Sequence, residues 1–157
     1  MNRRTFAKLA LAASIGVSGW AVWEMRSERR RLRLEAYSLP VRGLPLALEG
    51  LRIAVMSDLH AGDFTPWSLI HRAVSLAVEA SPDIVFLLGD YTSMSADSLE
   101  EPLATALRPL RARYGVWAVL GNHEYVRQRH DPVARALRSA GVHLLENQAQ
   151  QVDVRDE

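Results

Sequence analysis

The sequence of 157 residues predicts an α/β domain built on a parallel sheet. Short apolar runs stand at Ile53-Ala54-Val55-Met56, at Ile84-Val85-Phe86-Leu87-Leu88 and at Val116-Trp117-Ala118-Val119-Leu120. A segment with apolar residues at helical spacing follows each of them, so successive strands need crossovers and run in the same direction. Each run also stops abruptly at polar residues: Ser57-Asp58-Leu59-His60, Gly89-Asp90 and Gly121-Asn122-His123-Glu124. Ligands bind outside the carboxyl ends of the strands in an open α/β sheet, so these loops are expected to converge.

Taken in order, the chain opens with Asn2-Arg3-Arg4-Thr5-Phe6-Ala7-Lys8, followed by an uncharged stretch from Leu9 to Trp23. Paired arginines, a nearby Phe and a mildly apolar core resemble a twin-arginine export signal. A membrane anchor is the alternative, because Trp20 and Trp23 suit an interface although the stretch is shorter than the ~20 residues that span a bilayer. Gly19-Trp20-Ala21 is a passable cleavage site, yet Arg26, Arg29, Arg30, Arg31 and Arg33 follow, and positive charge there resists translocation. Both readings put residues 1–33 to work as a signal or anchor touching the membrane of a bacterial envelope, with 34–157 as the folded domain.

From Arg31 to Tyr37 apolar and charged residues alternate with the period of an outer strand, until Pro40 and Gly43-Leu44-Pro45 break the chain. After His60, Thr65-Pro66 is expected to cap and begin a helix whose face is Leu69, Ile70, Ala73, Val74, Ala77 and Val78, ending at Ser81-Pro82. His71 lies off that face and reads as solvated, and Asp63 as a turn residue. Asp97-Ser98 precedes a second helix carrying Leu99, Leu103, Leu107 and Leu110, disturbed by Pro109. Asp131-Pro132 opens a third, with Val133, Leu137 and Ala140 inward and Gly141 closing it. Strands are expected again at Val142 to Leu145, with His143 as a sheet residue, and from Gln151 to Arg155.

Composition sets limits on function. There is no cysteine, which excludes disulfides, thiolate-ligated zinc and thiol catalysis. The net charge of +1 conceals eight Lys/Arg against two Asp/Glu in residues 1–33, leaving eleven against sixteen in the remainder. An acidic folded domain lacks the basic footprint of a nucleic-acid binder, which argues against a polynucleotide partner.

The loop residues suggest metal chemistry. Residues i and i+2 of an extended chain project to one side, so Asp58 and His60 could address a common point with a carboxylate oxygen and an imidazole nitrogen. That mixture suits Mn²⁺, Fe or Zn²⁺ better than Ca²⁺, which takes oxygens. Gly89 and Gly121 allow sharp turns and a close backbone approach.

With Asp58-Leu59-His60, Gly89-Asp90 and Gly121-Asn122-His123-Glu124 in this order, each behind a strand, the sequence from about Gly50 onward resembles the calcineurin-like metallophosphoesterases. The resemblance implies a four-layer α-β-β-α sandwich and a site for two divalent metal ions, Mn, Fe or Zn, that hydrolyses a phosphomonoester or phosphodiester substrate. Residue by residue it assigns Asp58 and His60 to the first metal, Asp90 to a bridge between the two, and Asn122 to the second. It makes His123 the group that protonates the leaving oxygen or steadies the transition state, with Glu124 as an orienting partner rather than a ligand. A later His and the closing G-H-x-H motif of that family have no counterpart here, and His130 and His143 match no motif. The expectation is therefore the N-terminal half of the sandwich, holding one metal ion and showing little turnover. A membrane-attached binding or structural remnant without catalysis is the rival reading.

Overall fold

A computed structural model describes residues 32–62, 65–93, 99–126 and 130–154. All but Leu32 and Arg33 belong to the unit Leu34–Glu157; the signal or anchor lies outside the described residues. After a 3₁₀ turn at Leu46–Leu48 come β1 (Ile53–Met56), α1 (Trp67–Glu79), β2 (Ile84–Leu87), α2 (Glu100–Leu107), β3 (Val116–Ala118), a short α3 (Asn122–Val126), α4 (His130–Ser139) and β4 (His143–Leu144). The strands form one parallel sheet in the order β1-β2-β3-β4, as the alternating pattern requires. Crossovers between parallel neighbours are right-handed, so a sheet whose spatial order equals its sequence order carries its helices on one face.

The core lies between that face and the helices. Val85, Leu87, Val116, Ala118 and Leu144 meet Ile70, Val74 and Ala77 of α1, Leu103 and Leu107 of α2, and Val133 and Leu137 of α4. Each fully buried Leu or Val contributes about 1.5–3 kcal/mol relative to exposure, so these contacts hold the strands in place. On the opposite face Ile53 and Val55 are 50% and 57% exposed. Phe86 and Trp117 are half-buried beside them, while Ile84 is shielded. His143 stacks on Trp117 with ring centroids 4.6 Å apart. The described residues thus make one sheet and one helical layer of the α/β architecture.

Local chemistry explains the element ends. α1 starts at Trp67 with Pro66 as its N-cap, one residue later than expected, and no side chain caps it; Thr65 instead bridges to Ala61. Its buried stripe narrows to Ile70, Val74 and Ala77, leaving Val78 37% exposed. The expected Asp97-Ser98 start of α2 lies outside the described residues, but Glu100 and Glu101 favour the positive end of its dipole. α2 stops at Leu107 although Arg108 keeps helical angles, at φ −52° and ψ −31°, because Pro109 has no N–H to continue the ladder. α4 ends where Val142 N donates to Leu137 O and Gly141 N to Arg138 O, both at 3.0 Å, with Gly141 at φ 81°. This double closure needs a left-handed residue, which glycine supplies without strain.

Sequence periodicity misleads at the margins. Residues 32–37 form no strand, since alternation alone cannot hold an extended segment that has no neighbouring strand to bond. Residues 151–154 likewise lack regular structure, although Val154 is buried. β4 is shorter than Val142 to Leu145, yet Leu145 N still donates to Ala118 O at 2.8 Å.

Candidate metal centre

The loop after β1 is not extended where the candidate ligands sit. Asp58 and His60 have φ of 54° and 43°, so the same-side geometry of a strand does not apply to them. They are aligned by the neighbouring loop: Asp58 N donates to Gly89 O at 3.2 Å, His60 N to Asp90 O at 2.9 Å and Ala61 N to Tyr91 O at 2.9 Å. Parallel pairing of the backbone therefore continues past the strands and draws Asp58 and His60 towards Asp90. The Asp58 side chain is 66% exposed; its Oδ1 is 3.5 Å from His60 Nε2, and its Oδ2 accepts from Ser57 Oγ at 2.6 Å.

The ends of β2 and β3 approach so closely that side chains cannot fit between them. A Cβ on Gly89 would lie 2.4 Å from Gly121 N, and one on Gly121 would lie 2.5 Å from Asp90 N. Asp90 also has a left-handed backbone, at φ 55°. Its Oδ1 accepts from His123 N at 3.1 Å, and its Oδ2 lies 3.9 Å from His60 Nε2. The Asn122 amide stands against the same carboxylate, one terminal atom 3.1 Å from Oδ1 and 3.0 Å from Oδ2. With nitrogen in that position it donates to both; with oxygen there, three oxygens converge, an arrangement that needs a cation to hold it.

One nitrogen each from His60 and His123 and one oxygen of Asp90 lie within 4.8 Å of one another. The two imidazoles meet edge to face, with centroids 4.6 Å apart. His123 Nδ1 is buried without a hydrogen-bond partner, which is costly unless something occupies that side of the ring. The His60 imidazole, the Asp90 carboxylate and the neighbouring Asn122 amide form a donor set that fits a divalent transition ion, and the His123 imidazole stands beside them. Asp58 stands at the rim of this group, beside His60.

Glu124 lies beneath, fully buried, its carboxylate accepting from the backbone amides of Asp90, Tyr91 and Gly121. Tyr91 is buried against it, its hydroxyl donating towards Leu87 O and Val119 O. Burial and the charge of Glu124 push this phenol far above its ordinary pKa. The sequence reading missed both the Tyr91 anchor and α3. The Gly121-x-x-Glu124 spacing carried a signal for the latter: a Glu at the third helical position reaches back to the N-cap amide. His71 is exposed on α1, and His143 lies on the open face of the sheet. His130 is held between Asp131 and Glu146, and Arg138 also pairs with Glu146. Asp63 falls outside the described residues.

Strand-end loops that gather imidazole, carboxylate and amide donors define a candidate divalent-cation site at the carboxyl edge of a parallel sheet. The profile of the calcineurin-like phosphoesterases matches residues 51–151, and the chain belongs to that family. It is 30% identical over 145 residues to a transmembrane protein with metallophosphoesterase domain from Danio rerio, covering 92% of this chain and 32% of that protein. Phosphodiesterase YaeI of Escherichia coli is 33% identical over 62% of this chain and 37% of its own length. UDP-2,3-diacylglucosamine pyrophosphatase LpxG of Chlamydia trachomatis is 32% identical over 76% of this chain and 36% of its own. The chain thus spans about a third of the length of these relatives. No solved structure matches it significantly. Among the described residues, no helix is long and apolar enough to cross a membrane.

Proposed function

We propose that this chain carries the cation-binding front half of a metal-dependent phosphoesterase acting on a phosphodiester or phosphomonoester. The carrying observation is the convergence of His60, Asp90 and His123 within 4.8 Å. Asp58, His60 and Asp90 would hold the first divalent ion, and Asp90 and the amide oxygen of Asn122 would serve a second. A bound Mn, Fe or Zn ion supplies Lewis-acid neutralisation of phosphoryl oxygens and a water acidic enough to attack near neutral pH. His123 holds the proton passed to the leaving oxygen, a task suited to an imidazole. Among the described residues the second ion meets only Asp90 and Asn122, a sparse set that supports tighter binding of the first ion and slow turnover.

Residues 1–33 direct export or anchoring, on the strength of Arg3-Arg4 ahead of an uncharged stretch, and 34–157 form the catalytic domain. Relatives named as a transmembrane protein and as a phosphodiesterase support membrane attachment and a phosphate-ester substrate. Replacing Arg3 and Arg4 by Lys is expected to strand a fused reporter in the cytoplasm; unchanged export would leave a general signal or anchor.

The full chain titrated calorimetrically with Mn²⁺ and assayed on bis-p-nitrophenyl phosphate is expected to show one tight site and turnover well below the ~1–10³ s⁻¹ of ordinary enzymes. Two tight sites with turnover in that range would reject the half-site reading. A binding remnant without catalysis is the second reading, favoured by the sparse ligands of the second ion, and it predicts metal binding with no metal-dependent hydrolysis. Asp90→Asn is expected to cost more Mn²⁺ affinity than Asn122→Ala, since Asp90 serves both positions and supplies charge. His123→Ala should keep the metal and lose rate, most for poor leaving groups; loss of the metal instead would make His123 a ligand.

A further inference from the structure

We infer that Glu124 is a positioning residue that locks the loop after β2 to the turn after β3, and so fixes Asp90 for the cation; the inference rests on the metal-centre reading above. The bonding runs in both directions. Glu124 Oε2 accepts from Asp90 N at 3.0 Å and Gly121 N at 2.9 Å, while Oε1 accepts from Tyr91 N at 3.0 Å. In return, Asp90 Oδ1 accepts from His123 N at 3.1 Å, inside the short helix that carries Glu124. Each carboxylate therefore grips the backbone of the other's loop, and three hydrogen bonds bridge a sequence separation of more than thirty residues.

The lock is needed because of the backbone it restrains. Asp90 lies in the left-handed region, which a residue other than glycine adopts only when its surroundings enforce it. Gly89 and Gly121 approach with no room for side chains, so no apolar packing can pin the two loops together at that point. A fully buried acceptor shared by three amides does so instead. Every partner is a donor, and a carboxamide has only one acceptor atom. Gln at this position would point its NH₂ at a backbone N–H and leave at least one loop unheld.

The test uses the full chain, measured at a temperature where each variant is folded by circular dichroism. Glu124→Gln is expected to bind Mn²⁺ about 10–100-fold more weakly, the usual consequence of losing a partner that orients ligands. The electron paramagnetic resonance spectrum of its bound Mn²⁺ should broaden as the site becomes heterogeneous. Leu137→Ala, a core variant remote from these bonds, should melt earlier yet keep wild-type affinity and spectrum. Wild-type affinity in Glu124→Gln, or parallel weakening in both variants, would overturn the inference while leaving the metal reading intact. Absence of Mn²⁺ binding by the wild-type chain would overturn both. If Glu124→Gln does not fold, amide exchange in the metal-free wild type decides. Slow exchange at Asp90, Tyr91 and Gly121 supports the lock, and exchange as fast as an open loop removes it.

Discussion

The two faces of the sheet are made by the same strands yet have different surroundings. Along β1, Ala54 and Met56 pack against the core beneath the helices, whereas Ile53 and Val55, one residue out of phase, are half or more exposed. Along β3, Val116 and Ala118 are buried while Trp117 between them is partly open and covered by His143. A strand that faces water on one side alternates apolar with polar residues; one buried on both sides is apolar throughout. β1 and β2 follow the second pattern, so their composition suits burial of both faces. The open face is the apolar patch from which association is expected.

Substitutions on the two faces sharpen this difference. The largest effect is expected at the helical face, where Leu137 is fully buried. Leu137→Ala should cost about 2–5 kcal/mol in urea unfolding; a cost below 1 kcal/mol would mean that the core packs loosely. Next comes the rim that joins the strand ends. Gly121→Ala forces a Cβ against Asp90 N and should cost about 1–3 kcal/mol while weakening Mn²⁺ binding, and unaltered binding would show that the close approach is not required. On the open face, Ile53→Thr and Val55→Thr should each change stability by no more than about 0.5 kcal/mol. Both should reduce self-association in sedimentation velocity; comparable losses on the two faces would erase the distinction.

The smallest effect belongs to a contact on neither face. Asp131 and Glu146 hold the half-buried His130 imidazole above its ordinary pKa, and His130 holds Asp131 below the usual carboxylate range. Arg135 and Arg138 act on the same group, and the Tyr125 ring lies 5.6 Å from the imidazole. A raised folded pKa gives His130 stabilisation that is complete below its unfolded value near 6.5 and lost as pH rises through the folded value. For Asp131 the contribution is present above its unfolded value near 4 and lost as pH falls through the lowered one. Stability should therefore fall slightly as pH rises above the unfolded value near 6.5, a slope that His130→Ala removes; an identical slope in that variant would discard the assignment.

The strands and helices were legible in the sequence because burial imposes their period: Val85 and Leu87 inward, or Ile70, Val74 and Ala77 along α1, are local consequences of the packing. The outer strand proposed for Arg31 to Tyr37 failed because alternation reports what could pair, while pairing depends on a distant partner. At the candidate site, Asp58, His60, Asp90 and Asn122 are singled out by their places behind apolar runs. Their backbone is not legible in the same way, since left-handed angles at Asp58, His60 and Asp90 are set by hydrogen bonds to other loops. The depth of Glu124 was hidden for the same reason: three amides from two loops determine it, and none is adjacent in sequence.

The coincidence of strand order with chain order also bears on how the sheet is made. Each strand pairs with the one before it, across a crossover that has just left the ribosome, so loop-closure entropy stays modest at every step. With synthesis at roughly 5–20 residues per second and helix and loop formation on microsecond scales, β2 has time to dock on β1 before β3 is free to join them. Growth is thus vectorial. The helical side is covered as it forms, and the open side travels with the nascent chain as adhesive surface from the moment β1 and β2 meet.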